Sequence, residues 1–234
     1  MIRKLIREML ITEMSSPTAR AASQGMAVCT IGNRNHQAVV VVYDPNLLLG
    51  YLRQKRSLED RKTVIEDSVG LDPVVRAGVT YYKSSDPRCH DNGIVGKAAS
   101  VTGSGMGPAA YEAAMWYAGG LASDREETSR RAGRVWSVYK NRADAGDLDA
   151  LPFDDVEDPQ TLPDVDDCGI QDREWLNYSY RLPAKPAGLD IMEKNHEAIK
   201  PKLKRLGFPD DTLEWKLKML FMMIFDERMW EDDT

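Results

Sequence analysis

Between Val101 and Ala118 the chain reads V-T-G-S-G-M-G-P-A-A-Y-E-A-A-M-W-Y-A, and no other stretch restricts the fold as tightly. A short apolar segment, Ile94 to Val101, carries the small residues Gly96, Ala98 and Ala99 and runs into glycines at 103, 105 and 107. An alanine-rich helical pattern follows at once, and Pro108 suits its first turn. Strand, glycine turn and helix is how a chain aims backbone N–H groups at an anion. First-turn amides lack a partner within their own helix, and the helix dipole adds partial positive charge there. The expected site is Thr102, Gly103, Ser104, Gly105, Met106 and Gly107, and the ligand expected there is a pyrophosphate-bearing cofactor. The competing reading is a tight turn that lets helix and strand pack closely.

The pattern on either side predicts an α/β or α+β domain. Met26 to Ile31 and Ala38 to Tyr43 read as strands around a Gly32–His36 hairpin loop. The β-branched run Val39 to Val42 marks a strand buried on both faces. Leu47 to Asp67 reads as helix and Val74 to Tyr82 as a further strand. Gly119 to Asp124 is a short strand or turn, and Thr128 or Ser129 caps a helix whose buried face is Ala132, Val135, Trp136 and Tyr139. Ile191 to Leu206 and Leu213 to Trp230 are helical, the latter so apolar that the domain or another chain must cover it.

Composition divides the 234 residues into four parts. Residues 1–16 form an amphipathic helix with Ile2, Leu5, Ile6, Met9 and Leu10 on one face. Residues 17–142 form the sheet domain, 143–190 an acidic, proline-containing arm with little periodicity, and 191–234 a helical extension. A net charge of −6 argues against direct nucleic-acid binding. No run is long and apolar enough to span a membrane, and charges interrupt the N-terminus before a signal-peptide core can form. Cys29, Cys89 and Cys168 make neither a disulfide framework nor a zinc pattern, so a reducing interior is expected. Cys89-His90-Asp91 has the side-chain types of a metal ligand or nucleophile but no partner cluster nearby, so no metal is expected.

The order of strand, G-x-G-x-G, helix, short segment and second helix ending in V-W-S-V-Y resembles the GNAT superfamily, the acyl-CoA-dependent N-acyltransferases. The resemblance covers roughly Met26 to Arg142 and implies a GNAT-like mixed twisted sheet with flanking helices, here followed by a C-terminal helical extension. It implies a cofactor, acetyl-CoA or another acyl-CoA, whose pyrophosphate lies on the loop amides. Gly105 and Gly107 match the loop's two small residues, and Thr102 stands where the family has Gln or Arg. Tyr139 falls near the helix tyrosine that protonates the leaving thiolate, which makes it the catalytic residue of this reading. His36 and His90 are the histidines considered for the base. Pro108 removes one possible anion donor, since proline has no N–H.

G-x-G-P-A-A-Y-E-A-A-M, G-G-L-A-S-D-R and S-x-x-A-x-x-V-W-x-x-Y-x-x-R, followed by Asp166-Asp167-Cys168, also resemble a group of tailed-bacteriophage proteins of unassigned role. The opening M-I-R-K-L-I-R-E-M-L-I-T-E is similar to phage leaders that direct proteins into the head and are cut after Ile/Leu-x-Glu, a pattern met at Ile6-Arg7-Glu8 and Ile11-Thr12-Glu13. Two functions are therefore expected: transfer of an acyl group from acyl-CoA to an amine, or a virion component that uses the fold without catalysis. The partners implied are other phage virion proteins or a host protein, and the location is the virion or the host cytoplasm. In the second class the acidic arm and apolar final helix serve as docking elements.

Overall fold

The computed structural model describes residues 16–54, 73–84, 89, 92–101, 103–125, 128–153, 168, 173–207 and 212–229. Residues 1–15, with the leader and both cleavage-like tripeptides, lie outside them, as do Thr102, His90 and Asp91, most of the acidic stretch, and the second half of the helix expected over Leu47 to Asp67.

The fold class is the expected one: α+β, a mixed sheet with helices on both faces and a C-terminal helical extension. Strands β1 (Ala27–Asn33), β2 (Gln37–Tyr43), β3 (Val75–Lys83) and β4 (Gly93–Ser100) form an antiparallel meander. Helix α1 (Pro17–Ser23) precedes it and α2 (Pro45–Gln54) follows β2. Helix α3 (Gly107–Ala118) then crosses over to β5 (Leu121–Ala122), which pairs parallel to β4. A parallel pair needs such a crossover, because a hairpin can only reverse direction. After α4 (Arg130–Asp144) come β6 (Asp149–Pro152), a 3-10 turn at Glu174–Leu176, and β7 (Tyr178–Arg181). The seven strands lie in the order β1-β2-β3-β4-β5-β7-β6. Helices α5 (Leu189–Arg205) and α6 (Thr212–Met229) complete the chain.

Alternation along β2 explains the two-sided burial predicted for it. Val40 and Val42 enter one core with Ala77, Val79, Tyr81, most of α3, and Trp136 and Tyr139 of α4. Val39 and Val41 enter the opposite core with Leu48, Leu49 and Leu52 of α2 and Leu213, Leu217, Leu220 and Phe221 of α6. The apolar final helix is thus covered by the sheet itself, although Trp215, Met219 and Met223 remain exposed. Helix α5 reaches both cores, giving Leu189 and Met192 to the first and Ile199 and Leu203 to the second.

Two expectations are corrected. The stretch set apart as an irregular acidic arm supplies β6 and β7, and β7 inserts between β5 and β6. Four-residue strands are too short to show a period, so composition hid them. Cys89 and Cys168, 79 residues apart, are joined in a disulfide. Three scattered cysteines carry no spacing signal, and only the fold brings two of them together. Cys29 stays free and buried.

Polar groups pin the helices at named points. Glu112, 1% exposed on the alanine face of α3, accepts hydrogen bonds from the Ser16 hydroxyl and from the Thr18 amide and hydroxyl at 3.1–3.3 Å. Its other oxygen binds Arg142 of α4 at 2.8 Å. One carboxylate therefore ties α1, α3 and α4 together. On the opposite face, the Tyr43 hydroxyl lies 2.8 Å from His196 Nδ1, and His196 Nε2 faces Glu214 at 3.4 Å. The Glu214 carboxylate can only accept, so the ring proton sits on Nε2 and Nδ1 accepts from the Tyr43 hydroxyl, which burial keeps protonated. Burial also pulls the His196 pKa down from 6.5, Lys200 adds to this, and Glu214 opposes it.

Replacing Arg142 with Leu leaves the Glu112 charge short of a donor and should cost about 2 kcal/mol, the scale of a hydrogen bond to a charged group. In a chain of this size thermal denaturation would show it as a fall in Tm of roughly 4–8 °C. His196 binds its proton less readily folded than unfolded. Stability is therefore whole above pH 6.5 and declines as pH falls below it toward the depressed folded pKa. Thermal melts from pH 7.5 to 5.5 should show this decline in the wild type and a smaller one in His196→Gln.

Candidate functional site

Strand β4 is paired along its length with β3 but meets β5 only at Gly93↔Leu121 and Ile94↔Ala122. Among the described residues, the ladder with β5 ends at Ile94. A bulge interrupts the other edge: Thr80 faces Lys97 and Tyr81 faces Val95, leaving Gly96 as the extra residue. Bulges re-aim backbone groups, and here one sits where β4 and β5 part.

Beyond β4 the chain enters the glycine turn. The Val101 amide donates to the Arg76 carbonyl at 2.8 Å, and the Ser104 amide donates to the Val101 carbonyl at 3.0 Å. The Ser104 hydroxyl accepts from the Met106 amide at 3.3 Å and donates to the Arg76 carbonyl at 3.5 Å. The Ser104 and Met106 amides are thus used within the chain, and Met106 is buried. Among the described residues, no hydrogen bond engages the amides of Gly103, Gly105 or Gly107. Gly103 and Gly105 take φ of +75° and +67°, a region that favours glycine, and no atom lies within 4 Å of where their Cβ would stand. Met106 precedes α3 in a right-handed conformation and caps it with no side-chain hydrogen bond. Gly103 and Gly105 are exposed, and α3 begins without a side-chain cap. Thr102 lies outside the described residues.

Tyr139 lies elsewhere, in a cluster of rings. It meets Tyr111 at 6.4 Å, Trp136 at 5.8 Å and Tyr180 at 6.1 Å between centroids, and is 2% exposed. Its hydroxyl is buried and has no hydrogen-bond partner among the described residues. Burial, then the nearby Glu112 charge, holds its pKa well above the usual tyrosine range, so the hydroxyl stays protonated. Tyr111, in the second turn of α3, is the ring of this cluster nearest along the chain to the glycine turn.

The remaining sequence candidates are scattered. His36 is exposed at the tip of the β1–β2 hairpin, beside Lys83, at the end of the sheet away from the glycine turn. His90 lies outside the described residues, and Cys89 is committed to its disulfide. No group of three or more metal-binding side chains occurs among the described residues. Arg125 turns inward. It donates to the Ser123 carbonyl at 3.1 Å, the Ser123 hydroxyl, the Leu176 carbonyl, and the Cys168 carbonyl at 3.4 Å, and lies 5.1 Å from the Phe153 ring. Burial lowers its pKa to about 10.

Sequence reasoning missed the partners that build this region. Arg181 donates twice to the fully buried Asn92 side chain, at 3.0 and 3.2 Å, and Asn92 donates to the Cys89 carbonyl at 3.1 Å. Glu112 carried a signal, being the one carboxylate in an alanine-rich helix. Asn92 and Arg181 carried none.

Compared with known proteins, the chain matches no family model, no curated protein and no solved structure. No helix among the described residues is long and apolar enough to cross a membrane.

The orphan hydroxyl of Tyr139 gives a direct check on its surroundings. Tyr139→Phe removes an unsatisfied buried group and keeps the ring. Thermal melts should place the variant within about 0.5 kcal/mol of the wild type or above it, the outcome for a group that makes no hydrogen bond.

Proposed function

We propose that this chain binds acyl-CoA and transfers the acyl group to an amine. The single observation that carries the reading is the parting of β4 from β5 after two pairs, at the bulge of Gly96, on the way into the glycine turn and the uncapped start of α3. Left-handed Gly105 followed by right-handed Met106 is the alternation that turns successive amides toward one side, and such turns hold anions. The unengaged amides of Gly103, Gly105 and Gly107 would hold the pyrophosphate. The amide-bearing arm of the cofactor would lie along Val95–Ser100 as an added strand, the way extended ligands use a free sheet edge. A backbone group on that edge would orient the thioester carbonyl. The amine attacks that carbonyl, the C–S bond breaks, and the thiolate takes a proton. The resemblance gives that proton transfer to Tyr139, whose raised pKa keeps it in the acid form. The thiolate must then reach the ring cluster through Tyr111. The base for the amine is not assigned.

A second reading rests on the burial of Tyr139 and the inward use of the Ser104 and Met106 amides. The same fold would then serve in a phage particle, against other virion proteins or a host protein, without catalysis.

Acetyl-CoA separates the two. At 100 times its Kd a ligand stabilises the folded state by about 2.7 kcal/mol, so a functioning site raises Tm by several degrees. Gly105→Val puts a β-branched residue at φ +67° and should weaken that shift about tenfold in affinity, through backbone strain of roughly 1–3 kcal/mol. No shift at millimolar CoA overturns the acyltransferase reading. With an amine acceptor in hand, Tyr139→Phe should lower turnover and leave CoA affinity unchanged if Tyr139 is the acid.

A further inference from the structure

The sheet has a weak seam. The β1–β4 meander is joined by long ladders, whereas β5 has two pairs with β4 and one, Leu121↔Tyr180, with β7. The β6–β7 hairpin has four pairs of its own. It therefore hangs from the meander by a very short ladder, and side chains must supply the rest of its attachment.

One of them, Tyr180, enters the first core against Trp136, and the polar ones converge on one covalent bond. Cys89 precedes β4 and Cys168 precedes β7, so their disulfide spans the seam. Asn92 takes the Cys89 carbonyl with both its amide and its side chain, and then receives Arg181 from the end of β7. Arg125, which follows β5, donates to the carbonyls of Cys168 and Leu176. The sulfurs pack among Ile94, Ala122 and Phe153, a cluster separate from both main cores. Cys29 is in the other core, buried, with its thiol pushed up by that burial, so it does not compete for either partner.

We propose that the Cys89–Cys168 disulfide is a redox latch, which holds the β6–β7 hairpin on the meander when closed and lets it detach when reduced. An external dithiol opens it in two exchange steps. One thiolate of the dithiol attacks a protein sulfur, breaking the S–S bond and releasing the other cysteine as a thiol. The second thiolate of the dithiol then displaces the remaining cysteine. The protein gains two electrons and two protons, and the dithiol leaves as its own disulfide. With the bond open, the single β5–β7 pair and the polar clamps lose the covalent constraint that keeps Cys168 beside Arg125. Opening is confined to the second half of the sheet: β1 to β4 keep their ladders and the second core its contacts, while the first core gives up Tyr180 and its stack on Trp136. The latch stands apart from the acyl-CoA reading, since it needs no ligand.

The test is hydrogen exchange followed by mass spectrometry on the full chain, oxidised and after dithiothreitol treatment. Amides of β6 and β7 should exchange about tenfold faster or more after reduction, as expected for a local opening, while those of β1–β3 stay within about twofold. Diamide should restore the slow rates. A Cys89→Ser/Cys168→Ser double variant should behave like the reduced protein under both conditions, and Cys29→Ser should behave like the wild type. If reduction leaves hairpin exchange unchanged, or accelerates β1–β3 equally, the latch is overturned. Two free thiols at positions 89 and 168 in protein purified without reductant would overturn it as well. The wild-type reduction experiment stands even if a serine variant fails to fold.

Discussion

Strand β4 carries different obligations on its two edges. One edge completes an antiparallel ladder with β3, interrupted by the bulge at Gly96. The other pairs with β5 for two residues, and the two strands then part. Parallel pairing of β4 with β5 forces a crossover, and α3 is that crossover. Because α3 must start just past the end of β4, the glycine turn is fixed at the mouth of the gap between the two strands. Everything offered here as a ligand site follows from that geometry.

The gap also explains where the polar anchors lie. A sheet held by full ladders needs few buried side-chain clamps. This one is well laddered from β1 to β4 and thin beyond, and the Asn92–Arg181 pair, the Arg125 clamp and the disulfide gather at the thin part. Glu112 does the corresponding work between helices, where no backbone hydrogen bonds are available. The Trp136–Tyr180 stack, 5.8 Å between centroids, joins α4 to β7 through apolar contact. These features have one cause: elements that share little backbone pairing are held by side chains.

Much of the meander was legible along the chain. The valine run of β2, the small-residue approach of β4, the glycine turn and the faces of α4 and α6 each show a period or a punctuation that sterics impose locally. The second half of the sheet was not legible. Strands β5, β6 and β7 have two to four residues, which is shorter than a pattern can be recognised. Asn92, Arg125 and Arg181 become partners only when three separate segments meet. The cysteines misled for the same reason, since their relevant separation is in space.

The sequence alone determined the local conformations: which residues extend, which coil, and where glycine must supply a left-handed turn before α3. Backbone sterics and side-chain periodicity act over a few residues, so they can be read without knowing the fold. Only the tertiary structure decided that Tyr139 is walled in by rings, that Cys89 finds Cys168, and that β4 parts from β5 after two pairs. Those outcomes depend on contacts between segments tens of residues apart, and it is packing that selects them.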